Sequence, residues 1–246
     1  KMLLNEGNYY GLEAGMAYFS VSQYKSFMKC EAAAMAEIQG GYKRPLTRAL
    51  LVGSFVDSYF EGTLPEFMDR NPEIFTRTKE LKSDFRKANE IIGRLQADPL
   101  FMRFMSGEKQ RIMTFSLFGT DWKMKMDSYL PGICITDLKV VANFKTLPLW
   151  RYDLQGAVYQ AGVKAVTGET LPFYLAAATK ERVVDLDIFQ IPQSMLERAL
   201  AEIQCNLEHL VEVKKGLVPP KYCGKCDYCK SVKAARIRNY NELLGD

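Results

Sequence analysis

The stretch FGTDWKMKMDSYLPGICITDLKVV, residues 118–141, decides how this chain folds. Trp122, Met124 and Met126 alternate with Lys123, Lys125 and Asp127, a period of two that predicts a strand with one buried face. Leu130-Pro131-Gly132 supplies a turn, and the β-branched run from Gly132 to Val141 predicts a second strand returning beside the first. Asp137 and Lys139 are two apart on that strand, so their side chains leave the same face. Asp127 sits on the preceding strand, one short turn away, and can lie beside them. Two carboxylates and an ammonium converging on one face would be costly as structure alone, because like charges repel and buried charge needs partners. A divalent cation between the acids resolves that cost, and oxygen ligands suit Mg²⁺ or Mn²⁺. Lys139 would then orient a water or neutralise a phosphorane, which is phosphodiester chemistry. Taken alone, the D-x9-D-x-K spacing also arises on solvated strand edges.

Working outward, residues 20–38 open on a Ser and continue in an alanine-rich helical pattern. Residues 45–61 carry apolar positions Leu51, Val52, Phe55, Val56, Tyr59 and Phe60 at helical spacing, with Gly53 and Asp57 sharing a face. The missing side chain at Gly53 would permit close approach there. Residues 76–97 read as a charged, exposed helix. Beyond the strand pair, helical period returns from Pro148 to about Val166 and places Gln155 and Tyr159 at i and i+4, able to contact phosphate or order a metal site. Leu171–Ala178 predicts another strand. Ser194-Met195-Leu196-Glu197 reads as a capping box opening an amphipathic helix to about Lys215, which Pro219-Pro220 ends. The expectation is an α/β fold: a central mixed sheet flanked by helices, with helical additions, in one domain over residues 1–246.

Length of 246 residues and 48% hydrophobic content allow a sizeable core, and no apolar run approaches the roughly 20 residues of a membrane helix. The N-terminal KMLLNEGNYY lacks a long apolar stretch, so a cytoplasmic protein is expected. Lys214–Arg238 carries a charge of +7 while the whole chain carries only +4. Lys221, Lys225, Lys230, Lys233 and Arg236 could therefore contact DNA phosphates, or form a solvated face. The single histidine, His209, has mixed polar and apolar helix neighbours, which favours a helix-flank role over catalysis. Six cysteines in such a protein do not suggest disulfides. Cys223, Cys226 and Cys229 form a C-x2-C-x2-C run that points to metal or cluster binding in a basic C-terminal segment, 219–246. Cys134 and Cys205 fall on apolar faces and are expected in the core.

The ordered set Gly53-x3-Asp57, Asp127, Asp137-Leu138-Lys139 and Gln155-x3-Tyr159 resembles the RecB-type branch of the PD-(D/E)XK nucleases. More narrowly, LLVGSFVDSYFEG, DWKMKMDSY, TDLK and CGKCDYC resemble phage-encoded exonucleases of the exonuclease VIII-like group. The resemblance spans nearly the whole chain and implies a restriction-endonuclease-like core. It implies metal binding by Asp57, Asp127, Asp137 and the carbonyl of Leu138, with Glu108 a looser match, and catalytic roles for Asp127, Asp137, Lys139, Gln155 and Tyr159. Many relatives carry His where this chain has Asp57. Some relatives bind a [4Fe–4S] cluster through one early and three late cysteines, which maps onto Cys30, Cys223, Cys226 and Cys229. Four thiolates suit either an iron–sulfur cubane or tetrahedral zinc, and the local spacing favours iron; an empty or purely structural set is the third alternative.

The function implied is metal-dependent exonuclease action on DNA ends, in phage or prophage recombination. Its expected partners are DNA, a phage single-strand annealing protein and further copies of the chain as a homo-oligomer, with no membrane. The alternative is a nucleic-acid-binding module stapled by metal at its cysteines, its nuclease site vestigial.

Overall fold

The alanine-rich pattern of residues 20–38 predicts one helix, and the computed structural model, which describes residues 2–243, breaks it at Cys30. After a short α1 (Leu12–Ala17), α2 (Val21–Lys29) starts where the Ser20 hydroxyl accepts from the Gln23 N–H at 3.3 Å. Cys30 is extended, with φ −167°, and α3 (Glu31–Ile38) begins at once on a new axis. Next, α4 (Arg48–Glu61) is capped by Thr47, whose Oγ1 accepts from the Leu50 N–H, and ends at left-handed Gly62. α5 (Leu64–Arg70), α6 (Ser83–Gln96) and α7 (Pro99–Phe104) follow. The helix expected from residue 76 starts only at Ser83, because the chain first folds back through a bridge between Phe75 and Leu81. It is amphipathic rather than largely exposed: Phe85, Ala88, Ile91, Ile92 and Leu95 are buried.

The sheet region is β1 (Arg111–Leu117), β2 (Thr120–Met126), β3 (Ser128–Leu130) and β4 (Cys134–Val141). A crossover helix, α8 (Tyr152–Thr167), leads to β5 (Phe173–Thr179) and β6 (Leu186–Gln190). The order β3-β4-β5-β6 has β4 parallel to β5 and the other pairs antiparallel, so the expected mixed sheet flanked by helices is present. β1 and β2 form a separate hairpin, so the single strand expected over 118–130 is two strands hinged at Asp127. The β3–β4 turn, Pro131 to Ile133, is exposed and closes with the Ile133 N–H donating to the Leu130 carbonyl. Gly132 takes its φ of +69°, a conformation other residues adopt at a cost.

Residues 144–150 form a 3-10 turn, which delays α8 to Tyr152. α9 (Gln193–Lys214) begins after Pro192, not at a Ser194 capping box, and Glu197 accepts from the Gln193 side chain instead. α10 (Asp227–Ser231) lies in the cysteine run. Alternation along β4 and β5 sorts two cores. Ile135, Val141, Phe173, Leu175 and Ala177 pack with α2, α8, α9 and the hairpin, around Trp122, Tyr24 and Phe27. Leu138, Ala176 and Ala178 pack with α4, α6 and α7, around Phe55, Phe85 and Phe101. Each of these large buried side chains contributes roughly 1.5–3 kcal/mol. Cys134 is buried as expected, but Cys205 is exposed on the solvent side of α9.

Candidate active site

The β2–β3 hinge sets the site. Pairing of Ser128 with Thr136 carries on by one step to set Asp127 opposite Asp137 at the edge of β4. β3 pairs only as far as Ser128, and the Asp127 carboxylate takes up the edge beyond it. Its Oδ2 accepts from the Leu138 N–H at 2.9 Å, and its Oδ1 accepts from the Gln110 amide at 3.3 Å. Asp137 is buried; its Oδ1 accepts from the Gln155 amide at 2.7 Å, and its Oδ2 forms an ion pair with the Lys139 ammonium and has no hydrogen-bond donor besides.

The charges perturb one another. Burial pushes the Asp137 carboxyl up to about 7, with Lys139 opposing and Asp127 adding to the rise. Asp57 is raised well above the usual carboxylate range, by burial and then by repulsion from Asp127. Burial alone would lower the Lys139 ammonium, but Asp137, Asp127 and Asp57 outweigh it and hold its proton on. Three acids facing one lysine leave the cluster short of positive charge. Beside Asp57 and Asp127 a cavity of about 10 Å³, walled also by Glu61, Gln110, Leu138 and the apolar Phe60 and Met105, has room for one small ion or water. The donor set lining it is carboxylate oxygen from Asp57, Glu61 and Asp127, which fits a hard divalent cation.

Of the expected residues, Asp57, Asp127, Asp137, Leu138, Lys139 and Gln155 converge. Tyr159 is buried next to them but its hydroxyl donates to the Lys125 carbonyl at 2.9 Å, so it braces β2 two residues before Asp127. Glu108 does not reach the cavity: it is exposed, 3.6 Å from Arg111, and its backbone bridges to Tyr129. Glu61 stands in the cavity wall in its place, its carboxyl raised by burial. Gly53 does not serve close approach within the chain, since a Cβ there would meet nothing within 4 Å.

Sequence reading missed Glu61, Gln110, Lys25 and Tyr152. Lys25 of α2 donates to the Trp150 carbonyl at 2.7 Å, and the Tyr152 ring lies 5.3 Å from both the Lys25 and the Lys139 ammonium. Burial and then Lys139 lower the Lys25 ammonium to about 8. A cleft of about 210 Å³ runs from Gln155 and Tyr159 past Lys25, Lys123 and Lys125 to Tyr9 and Tyr10. A larger cavity, about 440 Å³ under Phe144, Pro148, Phe189 and Met195, is mainly apolar and holds no comparable cluster of acids.

The second cluster is thiol. Cys30, Cys223, Cys226 and Cys229 bring their sulfurs within 4.8 Å of one another. N–H donors at Lys225 and Cys226 draw the Cys223 thiol down to about 6, while burial pushes Cys229 up to about 12. Lys221, Lys225, Lys230, Lys233 and Arg236 of the C-terminal segment are all exposed.

Residues 20–232 match the model of the family described as a PDDEXK-like domain of unknown function (DUF3799). The crystal structure of a "Putative exonuclease" from Eubacterium rectale superposes with a TM-score of 0.96 at 43% identity, covering 100% of this chain and 99% of that one. A second crystal structure, SSO0001, covers 92% of this chain and 96% of its own at 13% identity, but its TM-score of 0.36 carries no argument. No curated protein matches the sequence.

Proposed function

This chain belongs to the PDDEXK-like family, and from that premise we propose that it is a metal-dependent deoxyribonuclease that degrades DNA from its ends. The observation that carries the reading is Asp127 opposite Asp137, with Lys139 ion-paired to Asp137 and a one-ion cavity alongside. Asp57, Asp127, Asp137 and the Leu138 carbonyl would hold Mg²⁺ or Mn²⁺. When bound, a divalent cation supplies Lewis acidity and positive charge beside the scissile phosphate.

The chain's own groups do the rest. The Leu138 N–H and the Gln110 amide fix the rotamer of Asp127, and Gln155 fixes Asp137, so both acids are preorganised. Lys139 keeps its proton and presents fixed positive charge where negative charge develops on the phosphate. Lys25 and Lys125 line the cleft leading to that point and suit a phosphate backbone. An end-directed mode, and a place in the exonuclease VIII-like group serving phage or prophage recombination beside a single-strand annealing protein, rest on the ordered motifs. The likeness to the Eubacterium rectale protein supports the same mode. The exposed lysines of the C-terminal segment would add non-specific DNA contacts.

The test is incubation of the full chain with end-labelled linear DNA and closed circular DNA, with Mg²⁺, Mn²⁺ or chelator. Metal-dependent loss of linear DNA only, abolished in Asp137→Asn, is the expected result. Undiminished cutting by Asp137→Asn, or cutting in chelator, overturns the mechanism. Cutting of closed circles overturns the end-directed mode alone.

A further inference from the structure

The nuclease reading leaves the four-thiol cluster without a role. We propose that Cys30, Cys223, Cys226 and Cys229 hold a single zinc ion in a closed tetrahedral site that clamps the C-terminal segment onto the α2–α3 break. The inference does not rest on the nuclease reading.

Sulfur spacing carries it. Four thiolates on one zinc, each about 2.3 Å from the metal, stand about 3.8 Å apart along the edges of a tetrahedron. Here Cys30 Sγ lies 3.5 Å from Cys229 Sγ, and Cys223 Sγ lies 3.8 Å from Cys229 Sγ. All the sulfurs fall within 4.8 Å of one another. In a [4Fe–4S] cubane each cysteine binds a different iron, so the sulfurs are pushed outward by the metal–metal spacing. A shell this tight encloses one ion, not four irons with four sulfides. The C-x2-C-x2-C spacing on its own reads as iron, and the distances redirect it to zinc. All four are free thiols, so no disulfide competes for them.

The surroundings are those of a thiolate site. Cys223 Sγ accepts from the N–H groups of Lys225 at 3.5 Å and Cys226 at 3.3 Å, and Cys226 Sγ accepts from the Cys229 N–H at 3.4 Å. These donors offset the negative charge that four thiolates keep around a dication. Gly224, at φ +70°, makes the tight turn that aims those N–H groups inward. Four thiolates leave no open coordination position, so the site is structural.

The clamp has a second hold beside the metal. The Glu31 carboxylate accepts from the Lys221 N–H at 2.8 Å and pairs with His209 on the flank of α9 at the same distance. The Ala32 N–H donates back to the Lys221 carbonyl at 3.1 Å. Zinc therefore ties an N-terminal helix break to a C-terminal loop, and Glu31 adds α9 through His209. Because α2 also carries Lys25, the clamp steadies one wall of the lysine-lined cleft that ends at Gln155 and Tyr159.

The test uses the full chain purified anaerobically from cells supplied with both iron and zinc. One zinc per chain, no inorganic sulfide and a colourless solution are the expected results. Thiol titration should find the four clamp sulfurs protected until a mercurial displaces the zinc. Cys226→Ser should purify without stoichiometric zinc and lose residues beyond 219 to trypsin roughly tenfold faster. Cys226→His, which keeps a zinc ligand, should restore both, and Cys205→Ser should change neither. Iron with equimolar sulfide and broad visible absorbance overturns the proposal. So does a metal-free native chain whose four thiols titrate at once. DNA cleavage plays no part in these readouts, so a failed clamp and a failed nuclease assignment stay distinguishable.

Discussion

Lys139 is half-buried and Lys214 buried, and their surroundings send them in opposite directions. Lys139 faces three acids and keeps its proton; Lys139→Ala should cost on the order of 10²–10³ in cleavage rate while DNA affinity changes little, since one phosphate contact among several is modest. Rate and affinity falling together would make Lys139 an anchor for DNA instead. Among the described residues Lys214 has no acid partner: its ammonium donates to the Tyr18 carbonyl at 2.7 Å and to Gln23 Oε1 at 3.0 Å, above the Phe19 ring. Burial, helped by Lys123, lowers it to about 7 from 10.5. A depressed lysine costs stability in full below pH 7, where both states are protonated. Above that, the unfolded chain binds the extra proton, so stability from this group rises with pH toward 10.5, by up to roughly 1.4 kcal/mol per unit. Denaturant midpoints measured between pH 7 and 9 should therefore climb in the native chain relative to Lys214→Met. Parallel pH profiles would show that Lys214 stays charged.

At the scale of elements, α8 owes its closeness to two glycines. A Cβ on Gly162 would lie 2.5 Å from Phe115 Cε1 and 2.9 Å from Met124 Cε, and one on Gly156 would lie 2.6 Å from Phe173 Cδ1. Gly162→Ala should destabilise the fold by roughly 1–3 kcal/mol through overpacking, although alanine is the better helix former. On α4 the same change at Gly53 meets open space and should stabilise by roughly 0.5–1 kcal/mol. Thermal melts of the two variants should move in opposite directions; a joint fall would mean that α4 packs more tightly than its open face indicates. The strand period on either side of Pro131-Gly132, the mixed sheet and the Asp127–Asp137–Lys139–Gln155 set were legible because period and spacing are local properties, whereas β1, the partner that β2 takes in place of β4, was not. What escaped was set by distant partners. The break at Cys30 follows from the contacts of its neighbour Glu31 with Lys221 and His209, and the short β6 has little alternation of its own. Lys25, Tyr152, Gln110 and Glu61 reach the site from separate elements with no shared spacing, and Glu61 stands where Glu108 was expected.

Across the whole molecule, charge is divided between a cluster of acids around β4 and a C-terminal segment rich in lysine. If that segment holds DNA, neutralising Lys230 and Lys233 together should lower the slope of log affinity against log salt by roughly two, because each phosphate contact released counts about one. The rate on saturating DNA should be unaffected. An unchanged slope would mark the segment as a solvated face. The Pro131–Ile133 turn has a different bearing on the molecule as a whole. Parallel pairing with β5 fixes the register of β4 from Ile135 onward, independently of how the chain arrives from β3. Extra residues spliced into this exposed turn would loop outward and leave Asp137 facing Asp127. It is accordingly the point at which an affinity peptide, a fluorophore attachment site or a whole guest domain can be carried without disturbing the acids.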